Sequence, residues 1–218
     1  MPLARPFVYV SVAMGVFLTV AAAFALDTKP ISLDRMIRAA DFVAVGTIES
    51  VSKDRFMLRL SDPIVAPESS GSVAIKRNKD WSGDEGPQLY RKGENVLVFA
   101  EKAKANAPAG SPPWRVLGFE NEGVLPVEGE HVYYTSGALE GFEAKPYDVD
   151  GAEFTAYKFG LPDFVAAVKA HRDCFGRAPV RGERPPGKSE ILCSESELKV
   201  LRDNTTLGAY LIRQAKGE

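Results

Sequence analysis

The chain has 218 residues, of which 45% are hydrophobic and 26% are charged, and its formal net charge at pH 7 is −2. This near balance argues against a dedicated binder of nucleic acid or anionic membranes, because such proteins carry a strong basic excess. The length suffices for one domain, or for one domain with a helical appendage, and for a substantial core.

The N-terminal segment has the features of an export signal. Residues 7–25 carry no charge, follow Arg5 and end in Ala23-Phe24-Ala25, the small-residue pattern of a signal-peptidase site. We predict a signal peptide at residues 1–25 and a periplasmic or secreted protein. A retained anchor is the alternative, since the stretch is long enough to span a bilayer. We expect no membrane contact unless this segment is retained.

The next residues predict a short helix followed by a strand pair. Ser32 is a suitable N-cap, and apolar residues follow it at helical spacing. A strand then begins at Phe42 and is interrupted by Gly46, which in a strand often marks a bulge or bend. Residues 56–60 alternate between apolar and other side chains, as a half-buried strand does.

Further short apolar runs continue this pattern to residue 159. Residues 96–99 are continuously apolar, which predicts a strand buried on both faces. The remaining runs are residues 73–75, 114–119, 123–135 and 151–159. About six to eight short strands separated by turn signals predict a mainly β domain over residues 26–159, either a small OB-like antiparallel barrel or a sandwich.

The periodicity becomes helical after residue 160. Residues 161–175 form an apolar stripe with Pro162 in the first turn, and Ser194 with Glu197 forms an S-x-x-E capping box. Residues 207–216 form a final amphipathic segment. We therefore predict a helical extension over residues 160–218.

Two cysteines, Cys174 and Cys193, lie in this extension. An even number of cysteines in an exported chain predicts a disulfide, here closing a loop rich in Pro and Gly, and two buried free thiols are the alternative. The loop is either a simple solvated connection or a contact surface for an acidic partner. Its basic residues are Arg177, Arg181, Arg184 and Lys188.

A second basic cluster combines Lys76, Arg77 and Lys79 with Trp81. OB barrels use such basic and aromatic mixtures on single strands of nucleic acid. Export makes nucleic acid a poor partner, so we interpret the cluster as a contact surface for another kind of partner or as a solvated loop.

The predicted helix ending in Ala-Asp, the strand "FVAVGTIESV" and the later "YRKGENVLVFAE" resemble bacterial secreted proteins with an OB-type barrel. These are similar in outline to the netrin and tissue-inhibitor-of-metalloproteinase module, over residues 32–135. The inhibitors of that family present an N-terminal Cys to the protease zinc, whereas the first cysteine here is Cys174. Metalloprotease inhibition is therefore not implied, and the resemblance implies only a barrel often used for binding.

Residues suited to catalysis or metal binding are few. His131 and His171 are far apart and lack zinc-site spacing, and we interpret His171 as a surface residue. Asp148, Asp150 and Glu153 supply oxygen ligands of the kind that Ca²⁺ uses, but their spacing does not fit an EF-hand loop. A polar hairpin turn is the main interpretation, a weak calcium site the alternative, and we expect no cofactor.

Two functional hypotheses follow. The first is a non-catalytic exported module that binds a protein or envelope component, supported by loops bearing Trp81 and Trp114. The second is a small exported hydrolase using Asp148, Asp150 and Glu153. A carboxylate pair inside a concave pocket would favour the enzyme, and a flat aromatic and basic surface would favour binding.

Overall fold

The computed structural model describes residues 30–65, 71–78, 91–118, 122–149, 151–178 and 189–217. The predicted signal peptide lies outside these ranges. The helices and strands within them are α1 (Leu33–Ala39), β1 (Phe42–Val51), β2 (Arg55–Val65), β3 (Ser72–Lys76), β4 (Asn95–Lys102), β5 (Trp114–Val116), β6 (Val124–Glu128), β7 (His131–Tyr134), β8 (Lys145–Val149), β9 (Ala152–Gly160), α2 (Leu161–Cys174), α3 (Glu195–Asn204) and α4 (Thr206–Lys216).

The first five strands close into a barrel. β1 pairs antiparallel with both β2 and β4, β2 pairs with β3, and β4 pairs with β5. The circle is completed by β3 and β5, which are parallel. A closed five-stranded barrel of this kind is the OB-type architecture that the sequence predicted. Closure leaves these strands without long free edges.

The sheet continues beyond the barrel. From β4 it extends through β6, β7 and β9 to β8. Residues 114–119 and 123–135 were predicted to add two or three strands; they form three, because residues 123–135 contain both β6 and β7. β8 was not predicted, because its sequence KPYDV is mostly exposed and lacks the alternation that identifies a half-buried strand. β5 ends at Val116, earlier than the predicted residue 119.

Alternating side chains of β1 and β4 divide the core into two layers. One set fills the barrel, and the opposite set, including Val43, Leu97 and Phe99, packs with residues of α1, α2 and α4. The prediction that residues 96–99 are buried on both faces is confirmed. The barrel interior consists of Phe42, Ala44, Ile48, Phe56, Leu58, Ile75, Val96, Val98, Ala100, Val116 and Val124.

Gly46 marks the predicted bulge in β1. The pairing of β1 with β2 shifts register between Val45 and Gly46. A Cβ at Gly46 would lie 2.5 Å from the carbonyl oxygen of Arg59, closer than any side chain can approach. Glycine is therefore required here by the close approach of the neighbouring strand.

The predicted N-terminal signals of α1, α2 and α3 are confirmed. The Ser32 hydroxyl accepts a hydrogen bond from the Arg35 N–H at 3.3 Å. Pro162 occupies the first turn of α2. At α3, the Ser194 hydroxyl and the Glu197 side chain form the reciprocal capping box.

Cys174 and Cys193 form the predicted disulfide, with their Cα atoms 4.6 Å apart. The bridge joins the end of α2 to the residues just before α3. It lies in a small separate core that also contains Phe175, Leu198, Leu201, Ile212 and Ala215. The disulfide thus links two parts of the helical extension covalently, and the larger apolar core attaches the extension to the barrel.

Candidate binding face

A row of basic side chains crosses the outer face of the barrel. Arg55 of β2 pairs directly with Lys76 of β3, and Lys76 pairs with Arg115 of β5. Directly paired residues point to the same side of a sheet. Their neighbours Phe56 and Ile75 fill the barrel interior, so the three cations point outward. We call Arg55, Lys76 and Arg115 the basic row.

The two arginines of the row have acidic neighbours. The Nε atom of Arg55 lies 3.3 Å from Asp54 Oδ1. Arg115 is ion-paired with Glu101, a side chain only 11% exposed. Lys76 is exposed, and no side-chain hydrogen bond or ion pair to it occurs among the described residues. Like charges directly opposite one another on neighbouring strands destabilise a sheet. The charge of Lys76 therefore lowers the stability of the barrel, and a bound acidic group would reduce this repulsion.

A short apolar patch lies beside the basic row. Met57 pairs with Ala74, and both are half-buried on the outer side of the barrel. Beyond them, Arg59 pairs with Ser72, and the Arg59 Nε atom lies 3.8 Å from Glu49 Oε1. This surface therefore combines cations with a small apolar contact area.

Arg77, one of the predicted contact residues, braces the β1–β2 turn. Its backbone N–H donates to the Asp54 carbonyl at 3.0 Å, and its Nη1 donates to the Ser52 carbonyl at 3.4 Å. Arg77 thereby fixes the turn next to Arg55 in the basic row. The other members of the predicted cluster, Lys79 and Trp81, lie outside the described residues.

Trp114 is predicted from the sequence to lie on a loop that contacts a partner, and this interpretation is wrong. It is half-buried, and its ring stacks on Phe42 with centroids 5.3 Å apart and planes inclined by 30°. The physical reason is its register: Trp114 pairs with Ile75, whose side chain faces inward. Trp114 therefore packs against the core of the barrel.

Of the second predicted contact surface, the loop between the cysteines, Arg177 lies within the described residues. Its side chain is 64% exposed, and its Nη2 atom lies 2.7 Å from Asp41 Oδ1, just before β1. This ion pair joins the segment after α2 to the barrel, whereas the basic row lies on β2, β3 and β5. Arg181, Arg184 and Lys188 lie outside the described residues.

The predicted carboxylate cluster lies at the β8–β9 hairpin. Asp148 and Glu153 are exposed and pair directly across the two strands. The Asp148 Oδ1 atom accepts a hydrogen bond from the Gly151 N–H at 3.1 Å, which supports the interpretation as a polar hairpin turn. Asp150 lies outside the described residues. Within those residues, no three His, Cys, Asp or Glu side chains are grouped as a metal site.

His171 is fully buried, so its interpretation as a surface residue is wrong. Its Nε2 atom lies 2.8 Å from Asp34 Oδ1, and its ring packs on Phe175 with centroids 4.6 Å apart. Arg38 binds both carboxylate oxygens of Asp34 at 2.9 Å. His171 shares helical spacing with the core residues Phe164, Val168 and Phe175, and this spacing was the available signal for its burial.

The protonation of this buried network follows from its geometry. Burial lowers the pKa of His171, and the nearby Asp34 only partly opposes this effect. Burial raises the pKa of Asp34, but hydrogen bonds from His171 and Arg38 lower it below its usual value. His171 Nδ1 is buried and has no hydrogen-bond partner among the described residues. A neutral imidazole donating Nε2–H to the Asp34 carboxylate fits these contacts, because a second N–H would lack an acceptor.

Since solvent does not reach His171, the network of Asp34, Arg38 and His171 joins α1 to α2 rather than forming a reaction centre. Arg38 also donates to the Gly176 carbonyl at 3.2 Å. Arg172 Nη1 donates a further hydrogen bond from α2 to the Ile37 carbonyl of α1 at 2.8 Å. The barrel with its outer basic row therefore remains the candidate site.

The fold and this surface define an OB-type barrel protein with a basic outer face. No family model matches the chain. It is 34% identical over 73 residues to nucleoside diphosphate kinases of Helicobacter pylori (strain Shi470) and Helicobacter acinonychis (strain Sheeba), a match covering 34% of this chain and 53% of those proteins. The chain thus spans about half the length of the curated relatives it matches.

Among solved structures, the chain is similar to a putative exosome complex RNA-binding protein. The match has 18% sequence identity and a TM-score of 0.26, and it covers 66% of this chain and 87% of that one. In the part of the chain that the structure describes, no helix is both long and apolar enough to cross a membrane.

Proposed function

We propose that this protein is a non-catalytic exported binding module whose basic row contacts acidic groups of a protein or another envelope component. The observation that carries the proposal is the position of Lys76, an exposed lysine without an acidic partner among the described residues, between Arg55 and Arg115 on one face. OB barrels bind extended polymers on this part of the barrel, which supports the assignment by analogy of fold.

The spacing of the row favours an extended ligand with repeated acidic groups. Neighbouring strands lie about 4.8 Å apart, so three positions in register span about 10 Å. The side chains of Met57 and Ala74 supply an apolar contact beside the charges. A chain carrying carboxylates or phosphates at intervals would complement the cations, and apolar groups of the same chain would contact Met57 and Ala74.

Export is part of the proposal. The disulfide between Cys174 and Cys193 supports it, because disulfides persist in oxidising compartments and are rare in the cytosol. Together with the signal peptide predicted at residues 1–25, the disulfide supports a periplasmic or secreted location. The resemblance to the netrin module over residues 32–135 is likewise a proposal, supported by the closed barrel.

The alternative, an exported hydrolase, has less support. Asp148 and Glu153 lie on an exposed hairpin, and neither lines the cavity formed beside it by residues of β4, β6 and β8. The Asp148 carboxylate is also engaged with the hairpin backbone. The described part of the cluster thus fits a turn better than a catalytic pair.

The test is binding to the isolated cell envelope of the native host. The protein obtained from the full chain is titrated with envelope material at several salt concentrations, and Lys76→Glu is compared with Lys145→Glu, the same change on β8. We expect Lys76→Glu to weaken binding about tenfold, equivalent to about 1.4 kcal/mol, and salt to weaken the wild type. Lys145→Glu should bind as the wild type does.

Equal binding by the two variants would refute the assignment of the basic row. A single-stranded oligonucleotide, titrated at the same salt concentrations, tests the expectation that nucleic acid is not a partner. Tighter binding to the oligonucleotide than to the envelope would overturn that expectation and the proposed partner with it.

A further inference from the structure

An apolar groove lies between α2 and α3, on a different part of the molecule from the basic row. Its volume is about 400 Å³. On α2 it is lined by Ala166, Ala167 and Ala170, whose single methyl groups leave the space open between the two helices. Leu201 of α3 and the disulfide form other parts of its wall. The volume is at the lower end of the range for ligand-binding sites.

Exposed hydrophobic side chains occur at this groove and in the segment that leads to Cys193. Among the described residues, the large hydrophobic side chains that are strongly exposed are Ile191 at 43%, Leu192 at 58% and Val200 at 58%. Val200 lines the groove, and Leu192 directly precedes Cys193, which also lines it. Exposed apolar side chains gathered beside a groove are typical of an interaction site.

The charges of the groove are of one sign. Its charged lining residues are Asp173 and Glu197, both exposed and both acidic. Hydrogen bonds from the Ser194 hydroxyl and backbone lower the pKa of Glu197, so this carboxylate is ionised at neutral pH. An apolar groove with acidic lining complements a ligand that combines apolar and cationic groups.

We propose that the groove binds an amphipathic helical segment of a partner protein, with an apolar side chain between the alanines and Val200 and with Lys or Arg facing Asp173 and Glu197. This arrangement is the helix-in-groove mode of peptide recognition. The proposal rests on α2 and α3 and uses no residue of the basic row. It can therefore fail or succeed independently of the proposed envelope contact.

The experiment uses two short synthetic helices, one with Leu on one face and Lys on the other, and one in which Glu replaces Lys. Isotope-labelled protein is titrated with each and observed by NMR. We expect saturable binding of the Lys peptide, with the largest amide shifts at Ala166, Ala170 and Val200. The Glu peptide should bind at least about tenfold more weakly, a difference of about 1.4 kcal/mol.

Two variants test the contacts. Val200→Asn replaces the exposed apolar side chain with a neutral polar one, and Asp173→Lys reverses one charge; each should weaken binding of the Lys peptide about tenfold. Both positions are exposed, so the fold should persist, which the NMR spectra verify directly. Glu153→Lys makes the same charge reversal on the exposed hairpin and should leave the affinity unchanged.

Equal affinity for the Lys and Glu peptides, or shifts located away from α2 and α3, would overturn the proposal. So would an equal effect of Asp173→Lys and Glu153→Lys, because the attraction would then be a property of net charge. Sedimentation without peptide tests a further outcome: a dimer of the wild type that Val200→Asn abolishes would show that a second copy occupies the groove, again overturning the proposal.

Discussion

The barrel interior and the α1–α2 contact are both buried, but they are built from different chemistry. The barrel is filled by apolar side chains such as Phe42, Phe56 and Leu58. The contact between the two helices contains Asp34, Arg38 and His171, all of which are buried. The helical side of the molecule also has a disulfide.

The two regions obtain their geometry in different ways. A closed barrel pairs its own backbone groups and fixes the positions of its strands, so apolar packing completes it. A helix packed on the outside of a barrel has several ways to lie on an apolar surface. Directional hydrogen bonds between α1 and α2 restrict that choice, although a buried ion pair adds little net stability compared with apolar packing.

The largest expected effect comes from a change inside the barrel. Phe56→Ala should lower the free energy of unfolding by about 4 kcal/mol, because it removes apolar contacts and leaves a cavity in a fully buried site. Chemical denaturation measures the loss. Met57→Ala, on the outer side of the same strand, is the control and should cost under about 1.5 kcal/mol. Equal losses would contradict the assignment of inner and outer faces.

The helix contact should be nearly as sensitive to a single change. Asp34→Asn should cost about 3 to 4 kcal/mol, because it leaves the buried Arg38 guanidinium without its carboxylate. Replacing Asp34, Arg38 and His171 together with Leu, Met and Leu should recover most of this loss in the same denaturation measurement. A triple variant no more stable than Asp34→Asn would show that the network contributes net stability rather than orientation.

Removing the disulfide should have a somewhat smaller effect. Changing Cys174 and Cys193 together to Ser should lower the free energy of unfolding by about 3 kcal/mol, since the bridge restricts a loop in the unfolded chain. Hydrogen exchange should show faster opening of α3 and α4, while the barrel amides keep their order of protection. An equal loss of hydrogen-exchange protection in the barrel and in the helices would show that the two regions do not open independently.

The smallest effect is a dependence of stability on pH. Because burial lowers the pKa of His171 in the folded protein, protons bind the unfolded chain more strongly, and stability should fall as the pH drops below about 6.5. Asp34, whose folded pKa is also lowered, adds a further loss below its unfolded value near 3.8. Denaturation at pH 7.5, 6 and 5 measures the loss of stability that comes from His171, and His171→Gln should abolish this pH dependence. Rising stability on acidification would show that His171 is protonated in the folded protein.

Local sequence patterns were sufficient for much of the architecture. Alternation identified β2, continuous apolarity identified β4 as a doubly buried strand, and Gly46 identified the bulge. The capping box of α3 and the paired cysteines were also identifiable, because each depends on residues close together in the chain. Turn and strand signals combined in this way predict an OB-like barrel.

The candidate site was only partly predictable. Lys76 and Arg77 were identified as basic residues of a contact surface, but Arg55 and Arg115 were not associated with them. The burial of His171 was missed because charged residues surround it in sequence, while its partner Asp34 is on α1. Both cases involve residues that are distant in the chain and adjacent only after folding.

The amino-acid sequence thus specifies most of the strands, the bulge, the helix starts and the cysteine pair, because each depends on spacing or on short-range hydrogen bonding, whereas β8 was not identifiable from its pattern. Which side chains share a surface depends on how the strands and helices pack. The parallel pairing of β3 with β5 places Lys76 beside Arg115, and packing of α2 on α1 brings His171 to Asp34. Barrel closure and helix packing are long-range events, and no local pattern encodes which residues they join.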